Sequence, residues 1–382
     1  RLGKVPVRIQ EVEGKEHLLS VFKEAFHMVD SHKTDATAVC GILQLLTGLV
    51  TDFESRRQFF ADTSLFEVLI SNHARRLQKG QYQLAVFVLV AARDLNSRMK
   101  MLTTPGFIPL LTVLLRDGGI ETKKIAVALT RILASERTLR SQLIKLGGSE
   151  FLESLFECAR DANANELVRC LISTETATLF HQDEELIKAL TRDNGLKYET
   201  EAFAKAMYRL ASTIRLRGKG LNLIFDAILR LSSSNDKQIK IWGARSLYKQ
   251  SLVEACSFFF TRTPSATKRI AMLANDNCPE IQYIGVKTIG NLASHPLNQR
   301  ALTKNGALML SLTKAVTQEA SKEAVKALLK LAETSKYAKT LAKQHNVVAS
   351  LSKYGLSPCA DSENKELRKT ALACVVRLVP MM

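Results

Sequence analysis

The sequence predicts an all-α chain, a right-handed superhelical solenoid of stacked helical repeats extending through its 382 residues. Three observations predict it. Apolar residues make up 46% of the chain and aromatic ones only 6%, so the core must come from Leu, Ile, Val and Ala, the mixture that packed helices use. The 18 glycines and 8 prolines are too few for an all-β fold and enough to punctuate many short helices. Third, an apolar step followed by a glycine recurs at intervals of about 40 residues, the period of helical-repeat units.

Taken in order, residues 1–36 are expected to form an atypical N-terminal cap, 37–361 the repeats and 362–382 a C-terminal capping helix, all within one solenoid. The chain opens at Arg1 with no initiator Met and no signal-peptide pattern, which reads as a piece of a longer protein. Leu49-Val50-Thr51 and Val90-Ala91-Ala92 are the first steps. The segment Ile120 to Cys158 carries Leu133-Ala134-Ser135 and then Gly147-Gly148; Glu280 to Val316 carries Asn291-Leu292-Ala293-Ser294 and then Asn305-Gly306. In both, the glycine falls 14 residues after the Leu. Its expected role is to end a helix in the left-handed conformation so that the next leaves at a steep angle. Weaker steps stand at Leu210-Ala211-Ser212, Leu247-Tyr248-Lys249, Leu331-Ala332-Glu333 and Leu378-Val379, while residues 159–200 and 250–278 fit the pattern poorly. Such a unit cannot bury its apolar face alone and must stack on its neighbours.

On these steps, and most clearly over Glu280 to Val316, the chain resembles the armadillo repeat, the family of β-catenin and importin-α, with HEAT-like units or insertions in the irregular stretches. The resemblance implies a non-catalytic protein-binding scaffold whose third helices line a concave groove. In family members that hold extended peptides, a Trp stands one turn before an Asn, so both project from one face. Aligned on the Leu-Ala step, this chain puts Arg209, Ser246, Asn291, Lys330 and Arg377 at the Asn position. One turn earlier it puts Lys205, Trp242, Lys287, Lys326 and Ala373. No Trp–Asn pair is complete; in its place stands a ladder of cations around one aromatic. The matching N-terminal positions, Gly48 with Gln44 and Leu89 with Ala85, carry no charge.

Charge counting leads independently to the same half. The formal charge is +17. Residues 1–191 hold 24 Lys+Arg against 23 Asp+Glu, a net +1; residues 192–382 hold 30 against 14, a net +16. A basic stripe attracts anions, so the expected partner is an acidic protein or peptide segment held by Lys205, Arg209, Trp242, Lys287, Asn291, Lys326, Lys330 and Arg377. Flanking domains of the full-length chain are a second class of partner. Nucleic acid on the same stripe is the alternative, with affinity falling steeply in salt; single-strand binders use several aromatics, however, and the aligned ladder offers one. A third reading is the regulatory or cargo-binding arm of a larger motor or enzyme. No lipidation signal or basic amphipathic end helix points to a membrane.

Catalytic and cofactor motifs are not found. The seven histidines show no HxxxH or HExxH spacing and no GxxxxGK[ST] loop occurs, so neither metal nor cofactor is expected. Arg217-Gly218-Lys219-Gly220 reads as a basic turn, and Asp183-Glu184-Glu185 beside His181 as a solvated helix face. The seven cysteines form no CxxC pair and read as buried thiols of a reducing compartment, the cytoplasm or the nucleus. The longest apolar run, Leu84 to Ala92, is about half of the roughly 18 residues of a membrane span. Phe258-Phe259-Phe260 is expected between layers, and Lys336, Lys339, Lys343, Arg368 and Lys369 on solvated faces.

Overall fold

The computed structural model describes residues 36–61, 64–73, 80–158, 167, 171–191, 200–213, 219–318, 320–333, 335–343, 346–357 and 362–381, and no strand occurs among them. The expected cap at 1–36, the basic turn at Arg217-Gly218, and Cys170 and Cys359 lie outside the described residues, Ala36 apart. Two compact units divide the chain, Arg1–Leu171 and Ile172–Met382, and the boundary falls inside the stretch 159–200.

The first unit repeats a plan of one longer helix followed by two others. Helix α1 (Ala36–Leu49) is followed by α2 (Phe53–Phe59) and α3 (Ser64–His73); α4 (Gln81–Ala91) by α5 (Leu95–Thr103) and α6 (Phe107–Arg116); α7 (Ile120–Ser135) by α8 (Arg137–Cys158). Like packs on like: α1 on α4, α4 on α7, and both α5 and α6 on α8. Helix α8 supplies two of the three helices of its plan, because Gly148 breaks it at φ 60°, ψ −158°. The buried rings Phe59, Phe60, Phe66, Phe87 and Phe107 run through this core, with neighbouring centroids 5.1–5.9 Å apart and most pairs edge-on, as ring quadrupoles favour.

The joints between successive plans are polar and repeat every 42 residues. Arg56 Nη1 donates to Val50 O at 2.8 Å, and its Nε reaches Asp94 Oδ2 at 2.7 Å. Arg98 Nε donates to Ala92 O at 2.8 Å while its Nη1 lies 3.8 Å from Glu136; Arg140 Nε donates to Ala134 O at 2.8 Å. Each arginine thus satisfies carbonyls orphaned at the end of the long helix six residues upstream, and the first two also tie the next unit through its acidic residue. Asp94 also caps α5, accepting from the Ser97 amide at 2.9 Å and hydroxyl at 2.7 Å.

In the second unit, α9 (Thr174–Gln182) and α10 (Glu184–Thr191) precede α11 (Glu201–Thr213), and α12 (Lys219–Leu231) precedes α13 (Lys237–Ser251). Three full units follow through α14 (Glu254–Arg262), α15 (Pro264–Ala274) and α16 (Pro279–Ala293); α17 (Pro296–Lys304), α18 (Gly306–Ala315) and α19 (Ser321–Ala332); and α20 (Ser335–Lys343), α21 (Val347–Leu356) and α22 (Ser362–Leu378). Third helices form one layer, α11 on α13 on α16 on α19 on α22; α15, α18 and α21 form a second, and α14, α17 and α20 a third. Prolines open α15, α16 and α17, where the missing N–H costs nothing. Residues 250–278 supply the regular pair α14 and α15. Their repeat is disguised because Phe258-Phe259-Phe260 fills the layer contact: Phe260 is fully buried, its ring centroid 4.7 Å from that of Phe225, and Phe259 meets the same ring edge-on at 5.0 Å. Phe258 is only partly covered and lies under Arg262.

The glycines do not act as the sequence suggested. Gly147 and Gly306 do not have positive φ; Gly106 is left-handed at φ 83°, ψ −9°, and Gly148 combines a positive φ with an extended ψ. Gly147 is required by space, since a Cβ there would lie 2.7 Å from the Phe151 ring. Gly306 is the first residue of α18 behind Asn305, whose side chain caps the helix by accepting from the Leu308 amide. A polar cap therefore makes the turn that αL geometry was expected to make.

Cys158, Cys256, Cys278 and Cys374 are free thiols. Cys256 is buried and its thiol is pushed up to about 11 by desolvation. At pH 8 it is a protonated, enclosed thiol, and the thiolate is the nucleophile. Native protein is expected to leave Cys256 unmodified by iodoacetamide at pH 8 and urea-unfolded protein to alkylate it fully; peptide mapping reads the difference, and equal labelling in both states would overturn this placement.

Candidate functional site

The register of the third-helix layer is fixed by burial. Residues 203–212, 243–252 and 285–294 show the same order: two buried, one half-buried, two buried, two half-buried, two buried, one exposed. Residues 324–333 follow the same run with Lys326, Lys330 and Ala332 more open, and 371–378 follow it again with looser cover. Close approaches confirm the offset between α13 and α16. A Cβ on Gly243 would meet Ser232 N at 2.4 Å, and one on Gly285 would meet Ala274 N at 2.5 Å, so both glycines let a third helix rest on the end of the helix before it.

This register places three rows of side chains on the outward face. The first row is Lys205, Arg245, Lys287, Lys326 and Ala373; the third is Arg209, Lys249, Asn291, Lys330 and Arg377. Between them lie Tyr208, Tyr248, Gly290, Leu329 and Val376. The positions aligned from sequence share this register in α11, α16, α19 and α22, whereas in α13 Trp242 and Ser246 fall one helical turn before it. Ser246 is fully buried and bonds back to Trp242 O, while Arg245 and Lys249 occupy the row positions. The slip has a physical cause. Gln250-Ser251 stands where Leu292-Ala293 stands in α16, and this polar pair is buried because Gln250 Nε2 donates to Ala211 O at 2.7 Å and Ser251 Oγ to Tyr248 O at 2.7 Å. In the first unit the same 42-residue register runs Gln44, Val86 and Ala128 with Gly48, Val90 and Ile132, one residue beyond the expected Ala85 and Leu89. The uncharged character of those positions stands.

Trp242 lies one turn before Arg245. Its ring has the Arg245 guanidinium 4.7 Å and the Lys205 ammonium 5.6 Å from its centroid, Tyr208 at 5.3 Å, and its Nε1–H donates to Glu201 Oε1 at 3.4 Å. Lys287 sits between Tyr248 and Tyr283, 5.3 and 5.4 Å from their centroids, a cation–π arrangement on both sides. Burial lowers its pKa, but Tyr248, Tyr283 and Glu323 outweigh that and hold it above the ordinary lysine value.

The two cationic rows differ in how they are paired. In the first, Lys205 meets Glu201 at 2.7 Å, Arg245 meets Glu280 at 2.8 Å and Lys326 meets Glu323 at 3.7 Å. In the third, Arg209 donates to Ile172 O at 3.4 Å, Asn291 Nδ2 donates to Ser251 Oγ at 3.1 Å and Lys330 Nζ donates to Ser294 Oγ. Among the described residues Lys249 and Lys330 have no carboxylate partner, and neither does Lys287 of the first row, which lies between two tyrosine rings. The sequence reading missed Tyr208, Arg245, Tyr248, Lys249 and Tyr283. A repeat offset of 42 between the buried glycines Gly243 and Gly285 was the signal that would have found the α13 pair.

Among the described residues no group of His, Cys, Asp or Glu converges on a metal position. Asp183 caps α10 by accepting from the Glu185 and Leu186 amides, and Glu184 and Glu185 pair with Lys188. No helix among the described residues is long and apolar enough to cross a membrane.

No protein-family model and no curated protein matches the chain by sequence. Solved structures resemble it in fold. An engineered protein aligns at TM-score 0.52 and 19% identity, covering 93% of this chain and 88% of its own. UNC-45 from Drosophila melanogaster aligns at TM-score 0.49 and 13% identity over 94% of this chain, which spans about half (51%) of that protein. A designed armadillo repeat protein in complex with peptide (KR)4 aligns at 0.42 and 17%, over 70% of this chain and 99% of its own. Likeness at these identities concerns the course of the chain alone. The three-helix units and their layered packing, with the likeness in fold to the first of these structures, define the class: this is an all-α helical-repeat protein.

Proposed function

We propose that the chain is a non-catalytic protein-binding scaffold whose third-helix face, from α11 to α19, holds an acidic segment of a partner protein. The observation that carries this reading is the third row: cations recur in register at Arg209, Lys249 and Lys330, and among the described residues the last two have no carboxylate partner. Each exposed pair with a ligand carboxylate contributes only about 0.2–1 kcal/mol, so affinity comes from several rungs acting on one ligand and from the field of a unit carrying most of the +17 charge.

The rows of aromatic and cationic side chains also suit single-stranded nucleic acid, where bases stack and phosphates pair. Glu201, Glu280 and Glu323 count against it. A phosphate backbone presents a charge at every nucleotide and cannot avoid these carboxylates, whereas a protein segment can place its acids opposite the third row alone.

Lys249→Glu with Lys330→Glu tests the assignment. Affinity for a labelled acidic peptide is expected to fall about tenfold or more, from two lost attractions and two new repulsions of roughly 0.2–1 kcal/mol each. Binding to a labelled oligothymidine is expected to be weak in both forms. Unchanged peptide binding would remove the third row as the site, and tight oligothymidine binding lost in the variant would transfer the face to nucleic acid.

A further inference from the structure

Charge in the second unit is sorted by layer. Between Ala255 and Ala360 the acids are Asp276, Glu280, Glu319, Glu323 and Glu333, and each lies in α16 or α19 or within three residues of their ends in sequence. The helices of the other two layers are almost free of acid. None occurs in α15, α17, α18, α20 or α21, and α14 has only Glu254, its first residue. In the layer of α14, α17 and α20 the cations stand in line. Each helix ends on one, Arg262, Lys304 and Lys343, and one turn earlier come Phe258, Arg300 and Lys339. Burial fixes the register of the last two helices: 299–304 and 338–343 both run buried, exposed, half-buried, buried, buried, exposed. All five cations are exposed, and among the described residues none has a carboxylate partner. A helix dipole favours cations at the last turn, which accounts for Arg262, Lys304 and Lys343 but not for Arg300 and Lys339. These two repel the cation four residues on, whereas exposed lysines elsewhere have an acid three or four residues away, as Lys124 has Glu121, Lys188 has Glu184 and Lys369 has Glu366.

We propose that the face formed by α14, α17 and α20 binds the phosphate backbone of duplex nucleic acid without reading its sequence. A duplex carries one charge per about 1.7 Å of its axis, so packed helices about 8–10 Å apart each meet a phosphate whatever the register. A backbone charged at every step needs a surface without carboxylates, and this layer is one. Bases of a single strand stack on aromatic side chains, but Phe258, the ring in line with Arg300 and Lys339, lies under the Arg262 guanidinium at 3.8 Å. A helix at a membrane surface drives its apolar face into the lipid. Here those faces are already buried in the stack through Leu302, Ala338 and Leu341, and Leu297 is the one widely exposed apolar side chain of α17 and α20 among the described residues. The face shares no residue with the acidic-partner site, so either can fail alone.

The probe is a fluorescein-labelled DNA duplex of about 20 base pairs, followed by anisotropy between about 50 and 150 mM NaCl. Five phosphate contacts give an expected slope of log affinity on log salt near −4.5, roughly a hundredfold loss over that range. The variant Arg300→Ala, Lys304→Ala, Lys339→Ala, Lys343→Ala, confirmed as folded by circular dichroism, is expected to bind at least tenfold more weakly at the lower salt, with a slope near −1. A charge-matched variant of the first unit, Arg57→Ala, Arg93→Ala, Lys124→Ala, Arg131→Ala, is expected to keep the wild-type slope to within about one. Should the first variant fail to fold, Lys304→Gln with Lys343→Gln repeats the test with an expected slope change of about 1.8. Equal losses in the two four-alanine variants, a wild-type slope shallower than about −2, or no duplex binding at the lower salt would overturn the proposal. Binding to phosphatidylserine vesicles that the first variant loses, with the duplex left unbound, would overturn it in favour of a membrane.

Discussion

Asp94→Ala is expected to destabilise the first unit by about 3 kcal/mol, the low end of the range for stripping one partner from a buried ion pair. The Arg56 side chain is 6% exposed and that of Asp94 23%, so water can approach the carboxylate but hardly reaches the guanidinium left behind. Arg56 keeps its carbonyl acceptor Val50 O, which limits the loss, while the α5 cap disappears with the carboxylate and adds about 1 kcal/mol. Asp94→Asn retains a capping oxygen and removes the charge, and an intermediate value is expected. Burial pushes the Asp94 carboxyl up, but hydrogen bonds from the Ser97 hydroxyl and amide, then Arg56, more than reverse this, and its pKa lies below the ordinary value. A carboxylate depressed on folding binds fewer protons folded than unfolded. Its contribution is therefore complete above the unfolded-chain value of about 4 and is lost as pH falls through the lower folded value. Urea unfolding at pH 7 and pH 3 should show the gap between wild type and Asp94→Asn shrinking at the lower pH. A gap that is pH-independent, or below about 1 kcal/mol for Asp94→Ala at pH 7, would mean that the joint adds little, as most exposed ion pairs do.

Gly285→Ala is the second large effect, and its sign runs against helix propensity. Alanine is the better helix former by about 1 kcal/mol, yet the added Cβ would stand 2.5 Å from Ala274 N and 2.7 Å from Leu273 C. Backbone cannot rotate away as a side chain can. Helices α15 and α16 must separate, and overpacking of this kind costs about 1–3 kcal/mol. Gly41 in α1 is the control, because a Cβ there meets nothing within 4 Å. Gly41→Ala is expected to stabilise by about 0.5–1 kcal/mol. Hydrogen exchange of the α15 and α16 amides should rise in Gly285→Ala; opposite signs for the two variants are the expected outcome, and stabilisation by both would show that α16 does not rest on α15 as closely as described.

Much of the fold was legible because a helical repeat writes its period into the chain. Leu133-Ala134 and Leu292-Ala293 are buried at the ends of long helices where their pattern places them, and the excess of lysine and arginine marks the half that carries the cationic rows. Other parts were hidden by substitution within the pattern. Arg56, Arg98 and Arg140 follow Asp52, Asp94 and Glu136 by four residues at a spacing of 42, a signal carried by polar residues that an apolar search passes over.

The sequence by itself determined the helical class, the repeat near 40 residues, the uncharged first half of the third-helix series and most of the cationic ladder, since composition and periodicity are local properties of the chain. Only the tertiary structure decided which side of α13 faces outward, because Gln250 and Ser251 are polar in sequence and buried in fact, and their burial depends on a carbonyl of α11 and on the Tyr248 carbonyl one turn back. It also decided which cations are already paired. Lys205 is satisfied within its own helix, Arg245 finds Glu280 across the layer, and Lys249 finds no carboxylate among the described residues, distinctions that depend on how neighbouring helices stack and not on the residues themselves.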